Sequence, residues 1–492
     1  QHFARFENSY SMPTDAETDF KISLRLPGFP SHIAVKAVAS IHHYAFEPLD
    51  NQVRFDEYAV EVAPDADKPD SAAWDARQTI PLTAEELRGY ERIDSTERHR
   101  PIGKQIGRLA AGVLLGSMFN PDLYHFNRVE GSYLGVGGAV RQLLPRTDIR
   151  LGTGYAFGAK YWQSELGFTY RLENRQRVEI GAGYQNRMGT RPTVFARRDP
   201  LATLGALIDQ WDPFDYFRQE GFSAWASTRL VNRTRLRVSY GNYHQYSTPV
   251  VTDYRLFQDR KLPRLNPPIA DGAMRTLGAQ FTFDSRPRYL NKGREGISWT
   301  ETFTLVTLDF QYSSSAVLKS NFDFRRYSVS LDRRQPVLGL GRITIFALAG
   351  ASDGALPPQE YYTVDYGGNF VFRRLGFTTL GENNFCGNRM ALVTVRHEFG
   401  RRLFYRSGLP LVRNIPFNLS IFGGAFWTDF SNHSAQPGDD FVRTARTAYS
   451  EIGFGVSNLT PFLAPFNFGL DFAWQLSAYD TRRFTLSWRL DL

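Results

Sequence analysis

The final nine residues, Phe484-Thr-Leu-Ser-Trp-Arg-Leu-Asp-Leu492, alternate apolar and polar without a break. Side chains of a strand alternate sides, so Phe484, Leu486, Trp488, Leu490 and Leu492 share one face, and Thr485, Ser487, Arg489 and Asp491 the other. A strand of this kind with a Trp inside it is built like the closing strand of a transmembrane β-barrel. A membrane-spanning helix is excluded, because no apolar run approaches the roughly 18 residues such a helix needs. The longest candidate, Leu109 to Phe119, is short and broken by glycines.

The same texture recurs upstream. Alternation marks Val129–Arg141, Asp148–Gly158, Ala159–Arg171, Arg177–Met188, Gln219–Leu230, Arg233–Tyr246, Arg275–Ser285 and Ile297–Thr307. It continues through Asn321–Leu331, Gly341–Gly350, Asn388–Phe399, Phe417–Thr428, Ala448–Val456, Phe466–Leu476 and Phe484–Leu492. Each is close to the ~9–11 residues with which a tilted strand crosses a bilayer. These are fifteen strands, and a single-chain bacterial barrel has an even number. A sixteenth is expected inside 189–217, with fourteen as the competing count. The expected fold is all-β: a transmembrane antiparallel β-barrel of about 16 strands over 124–492. A small N-terminal periplasmic β region and linker fill 1–123.

In that first region, Asp19–Leu26, Ile33–Tyr44 and Val53–Val62 read as short strands. Thr83 and Glu86 form a capping box for one short helix. The opening residues Gln1-His-Phe-Ala-Arg-Phe-Glu carry no export signal, so the chain reads as part of a longer precursor. An aromatic content of 14% and 41 glycines suit aromatic girdles and tightly packed strands. The net charge of +8 is scattered over the strands, which argues against nucleic acid as a partner. Cys386 is the only cysteine, so no internal disulfide framework exists.

Connections are unequal. Leu172–Gln176 and Ser477–Thr481 are tight, whereas Ser247–Met274, Ser352–Gly387 and Asp429–Thr447 are long. Counting back from a periplasmic C-terminus puts the long ones outside the cell. Loops above about 15 residues are usually functional or disordered.

Three stretches carry a resemblance. Trp74-Asp-Ala-Arg-Gln-Thr-Ile-Pro-Leu-Thr-Ala-Glu-Glu-Leu-Arg-Gly-Tyr-Glu-Arg-Ile-Asp-Ser95 resembles the W…RP…LTxEE…Y…DS segment of a Bacteroidota outer-membrane family of unknown function. There a carboxypeptidase-regulatory-like sandwich precedes a barrel related to the BamA/TamA surface-antigen superfamily. Phe126–Gly137 resembles its first barrel strand. Leu356–Tyr362, Gly368-Asn369, Arg396–Gly400 and Leu409–Arg413 resemble its last third. Phe283-Asp284-Ser-Arg286-Pro287 with Gly293 is similar to the superfamily's D-x-R…P…G turn. Tyr366-Gly367-Gly368-Asn-Phe-Val-Phe-Arg373-Arg374 is similar to the motif of an external loop that folds into the lumen. The resemblance implies a lumen plugged by 352–387, with Arg373 or Arg374 paired to a strand carboxylate. The acid position of the F-x-D-x-G-x-x-W pattern holds Phe422 here, ahead of Gly424 and Trp427. By strand alternation Glu301, Glu398 and Asp471 are the candidate partners, since a buried guanidinium needs one. The resemblance also implies a weak seam between the first strand, Val129 to Arg141, and the last, Phe484 to Leu492.

Other chemistry is thinly represented. His42 and His43 point opposite ways on a strand, and no H-E-x-x-H exists, so no metal or cofactor is expected. For a hydrolase only His397-Glu398 and Asp429, His433 and Ser434 are candidates, and no G-x-S-x-G is present. Gly135-x-Gly137-Gly138 and Gly152-x-Gly154 sit mid-strand and lead into no helix, so they are not phosphate loops. Residues 400–415 form a basic, amphipathic connection suited to a headgroup layer. We therefore expect a non-enzymatic outer-membrane barrel acting in assembly or translocation, or as a scaffold. Its partners would be outer-membrane lipids and lipopolysaccharide, with other outer-membrane or periplasmic proteins. The alternatives are a passive channel and an outer-membrane hydrolase.

Overall fold

A computed structural model describes residues 2–6, 10–23, 32–40, 58–62, 88 and most of 122–491. Within the last stretch, 142–145, 173–177, 196–199, 210, 255, 257–263, 292–293, 299, 301, 338, 366–375, 382–383, 407, 409–416, 432–435 and 460–466 are not described. The chain divides into two compact units. One comprises 1–56, 63–109 and 460–465, the other 57–62, 110–459 and 466–492.

The first unit holds an antiparallel sheet of β1 (His2–Phe6), β2 (Tyr10–Ser23) and β3 (His32–Ser40). Arg88 is helical, while the capping-box residues Thr83 and Glu86 lie outside the described residues.

The second unit opens with β4 (Tyr58–Val62), followed by β5 (Tyr124–Asn127), β6 (Gly131–Arg141), β7 (Thr147–Ala156), β8 (Tyr161–Arg171) and β9 (Val178–Thr190). Then come helix α1 (Pro200–Asp209), β10 (Tyr216–Thr228), β11 (Thr234–Ser247), β12 (Gly272–Asp284) and the hairpin β13 (Arg288–Asn291) with β14 (Arg294–Ile297). They are followed by β15 (Phe303–Ser313), α2 (Ser315–Leu318), β16 (Phe324–Val337), β17 (Gly341–Gly354), and the loop strands β18 (Tyr362–Val364) and β19 (Phe385–Gly387). Last come β20 (Arg389–Gly400), α3 (Arg402–Arg406), β21 (Asn418–Asp429), β22 (Tyr449–Ser457), β23 (Asn467–Gln475) and β24 (Phe484–Asp491).

Sixteen strands form one antiparallel sheet in which every strand is hydrogen-bonded to its wall neighbours in chain order. Its order runs from β5 to β24, omitting only β13, β14, β18 and β19, and among the described residues no ladder joins the two ends. This is an all-β fold with barrel topology. The fifteen strands expected from alternation are all present. Ile297 closes β14 instead of opening a wall strand, and the wall strand expected from it begins at Phe303. The sixteenth strand is not in 189–217. That stretch carries α1, and the additional strand is the four-residue β5. Pro200 at the first helical position and the Leu/Ala run after it favour helix there.

Burial is inverted relative to a soluble sheet. In β24, Phe484, Leu486 and Trp488 are 40–53% exposed, while Thr485, Ser487 and Arg489 are at most 7% exposed. β8 does the same, with Trp162, Leu166 and Phe168 outward and Gln163 buried. An apolar outside over a polar inside is how a strand meets lipid on one face and a lumen on the other. The glycine runs lie within β6 and β7, where Gly135 pairs with Gly154 and Gly137 with Gly152. A Cβ at Gly135 or Gly154 would collide with the Tyr133 ring, so these glycines seat an inward aromatic.

Candidate functional site

Antiparallel order sends alternate connections to opposite ends of the sheet. The long ones, between β9 and β10, β11 and β12, β17 and β20, and β21 and β22, therefore share one end. The β17–β20 connection folds back against the inner face of the wall. Leu356-Pro-Pro-Gln-Glu makes a tight turn whose Gln359, fully buried, donates to Gln245 Oε1 (3.0 Å) and the Ala270 carbonyl (2.9 Å). Tyr362 donates to the Ala351 carbonyl (3.1 Å), and Arg326 lies over its ring at 4.3 Å.

The hairpin β18–β19 is the centre of a small layer. Thr363 bridges to Thr193 on one side, and Phe385 to Arg443 on the other. The Phe195 amide donates to Asp365 (2.9 Å), and Tyr361 donates to Asp439 (3.0 Å). Three loops are thus interlocked. Burial, with the Asp439 carboxylate beside it, pushes the Tyr361 phenol well above its usual range, and burial pushes Tyr362 up to about 12. Burial also raises the thiol of Cys386, which sits beside Arg191 and Thr363.

The next segment is held by a carboxylate. Glu451, inward on β22 and 4% exposed, accepts the amide of Thr378 at Oε1 and that of Thr379 at Oε2, both at 2.9 Å. Thr379 Oγ1 also donates to Oε2 (2.6 Å) and bonds the Tyr449 hydroxyl (2.6 Å). A carboxylate gripping two consecutive amides is a charge-assisted, geometrically specific anchor. Around it Phe195, Phe346, Val364, Phe377, Leu380, Phe385, Phe426 and Tyr449 form one buried cluster, with Phe377 4.8 Å from Phe426. Gly424 leaves room for the Phe377 ring.

The expected plug residues Gly367, Gly368, Arg373 and Arg374 lie outside the described residues, as do Glu301 and Leu492. Glu398 pairs with Arg342. Asp471 is buried between Arg396 (2.8 Å) and Arg489 (3.4 Å), tying β20, β23 and β24 together. Glu451 was not among the expected acids. It stands directly across the ladder from Gly424, on the strand next to Phe422. Its inward parity with Tyr449 and Gly453 was the available signal.

Val129 lies in the turn between β5 and β6, not on a strand, because Asn127 Oδ1 caps the amides of Val129 and Glu130. Arg141 ends β6 and Phe484 opens β24. The first strand of the sheet is β5, so β6 is the second. Asp284 and Arg286 meet in a two-point ion pair. His397 sits against the Leu340 carbonyl, and Asp429 pairs with Arg446 near the other end of the wall, so the two do not meet. His433 and Ser434 are outside the described residues.

A second anchored knot lies beside α1. Glu130, fully buried, accepts from Asn127 and Gln163 and contacts His125 (3.1 Å). Nearby, Arg128 pairs with Asp212 (3.0 Å), while Asp215 takes Arg191 (3.0 Å) and Arg264 (2.7 Å). These pairs join the β9–β10 connection to the β5–β6 turn and to the β11–β12 connection.

No protein-family model and no curated protein matches the sequence. Solved structures do match at low identity. BamA from Haemophilus ducreyi lacking POTRA domains 1–3 is 11% identical over 74% of this chain and 69% of that one, with a TM-score of 0.43. CdiB from Acinetobacter baumannii is 12% identical over 74% and 57%, with a TM-score of 0.37. Pseudomonas aeruginosa OpdL is 13% identical over 73% and 80%, with a TM-score of 0.31. The chain's own strands establish its architecture: a sixteen-stranded antiparallel wall, apolar outside, with loops packed on its inner face.

Proposed function

We propose that this chain spans the outer membrane as a sixteen-stranded barrel whose lumen is held shut by the β17–β20 connection. We further propose that it serves assembly or translocation at that membrane and breaks no covalent bond. The supporting observation is the Glu451 anchor, which fastens a loop to the inner face of a wall whose outer face is apolar. Closure would bring β24 to the β5–β6 end, and lipid and lipopolysaccharide would cover the outside.

Planar-bilayer conductance tests the reading. The intact protein is expected to be silent. Glu451→Gln leaves an amide nitrogen facing one of the two loop amides, a loss of about 1–3 kcal/mol, and should give intermittent openings. Deleting 356–386 should give a steady pore. A stable open pore in the intact protein would instead favour the passive channel.

A further inference from the structure

We propose that the end of the sheet opposite the plug binds the headgroup of an anionic phosphoglyceride, through Arg401, Arg402 and Arg406 grouped around Gly339. This rests on the membrane-spanning reading above.

The site begins where β20 ends. Gly400 takes φ 60° and turns the chain off the wall into α3, whose Tyr405 amide donates to the Arg401 carbonyl (2.9 Å). Arg401, Arg402 and Arg406 are all exposed, and among the described residues none has a carboxylate in ion-pair range. Glu398, one turn back on the wall, is already engaged by Arg342. Three guanidinium groups within six residues repel one another unless an anion joins them.

Their setting forms a groove of about 730 Å³, lined by Gly339, Arg401, Arg402, Tyr405 and Arg406. Gly339 has φ 66° in the turn between β16 and β17, and Arg406 Nη2 lies 2.9 Å from where a Cβ would stand. The missing side chain gives the guanidinium its place. His397 Nε2 meets the Leu340 carbonyl (2.9 Å), joining this turn to the outward side of β20.

The rim of the groove is apolar. Leu340, Leu403 and Tyr405 are 45%, 39% and 64% exposed, next to the outer face that carries Val393 and the paired His397 and Phe399 rings. Cations beyond an aromatic and aliphatic rim occupy the position at which Arg reaches headgroups while its neighbours stay in acyl chains. The guanidinium fork matches phosphate oxygens, and clustered basic side chains at a membrane edge select anionic headgroups. Free phosphate would use the arginines and leave the apolar rim uncovered, so the occupant is a lipid.

The test uses the full chain in mild detergent, exposed to equal amounts of phosphatidylglycerol and phosphatidylcholine, with bound lipid counted by native mass spectrometry. The wild type should retain phosphatidylglycerol at least about tenfold over phosphatidylcholine. The variant Arg401→Gln/Arg402→Gln/Arg406→Gln should retain both equally, with Cys386 still shielded from alkylation as proof of folding. Gly339→Asn tolerates the positive φ and fills the Arg406 seat, so it should reduce the preference with every charge kept. Equal retention by the wild type, an unchanged preference in the triple variant, or displacement by millimolar inorganic phosphate would overturn the proposal. Failure of the membrane-spanning reading shows separately, as release of the wild type from vesicles by a carbonate wash.

Discussion

The wall and the β17–β20 connection, the proposed plug, treat hydrophobic side chains differently. In β24 the wall turns Leu486 and Trp488 outward and hides Ser487. In the plug, Phe377, Leu380 and Phe385 are buried as in any soluble core. One chain therefore contains two solvents' worth of rules. The wall is organised for lipid outside and polar groups inside, while the plug folds as a water-soluble element would, with Glu451 as its charged anchor. Hydrophobic burial on the inner side is shared by loop residues such as Phe377 and by strand residues beneath them such as Phe426 and Tyr449, whereas hydrophobic exposure on the outer face belongs to strands.

Three changes would break or sharpen this contrast. The largest expected effect is Phe377→Ala, which opens a cavity in the plug cluster and should destabilise it by about 3–5 kcal/mol. The readout is alkylation of Cys386, whose buried, raised thiol should react slowly in the wild type and rapidly in the variant, with the heat-stable migration of the barrel unchanged. Coupled loss of both would show that wall and plug are one cooperative unit. Next is Leu166→Arg, mid-strand on the outer face of β8. It should cost about 2–4 kcal/mol in urea unfolding from vesicles if this face meets lipid. A change within about 0.5 kcal/mol is what an exposed site in water would give, and would remove the contrast.

The smallest effect is a pH dependence in the plug. Burial raises the Glu360 carboxyl above its usual range, against the opposing pull of Arg326 and a Gln311 hydrogen bond. The folded state thus holds the proton more tightly than the unfolded chain. The stability it contributes is complete below the ordinary glutamate value and lost as pH rises through the raised one. The thermal midpoint of the plug should therefore fall as pH rises through the window just above the glutamate range, and Glu360→Gln should flatten that slope. A wild-type midpoint that climbs over the same window, with Glu360→Gln unchanged, would reverse the assignment.

Most of the wall was legible in its alternation. The alternation that put Trp162, Leu166 and Phe168 against Gln163, Glu165 and Arg171 is the alternation observed. The short β5 was not legible, because four residues are too few for periodicity to register, and α1 stood where parity called for a strand. The anchor was half legible. A loop–acid contact was expected, and the likeness to a known pattern drew attention to Phe422 and Gly424. The contact observed uses Glu451, which the ladder sets opposite Gly424 on the next strand, and it grips the amides of Thr378 and Thr379. Phe422 instead receives the Arg396 guanidinium on its ring at 4.3 Å, which joins that strand to the Asp471 network.

By itself the sequence determined the strands and which side of each meets the hydrophobic surroundings. That information is carried by neighbours two residues apart and survives without any knowledge of the fold. Only the tertiary structure decided which carboxylate holds which loop. Thr378 and Glu451 are far apart along the chain, and no local pattern encodes their meeting. The antiparallel register brings them together, because it places one inward glutamate under two consecutive loop amides.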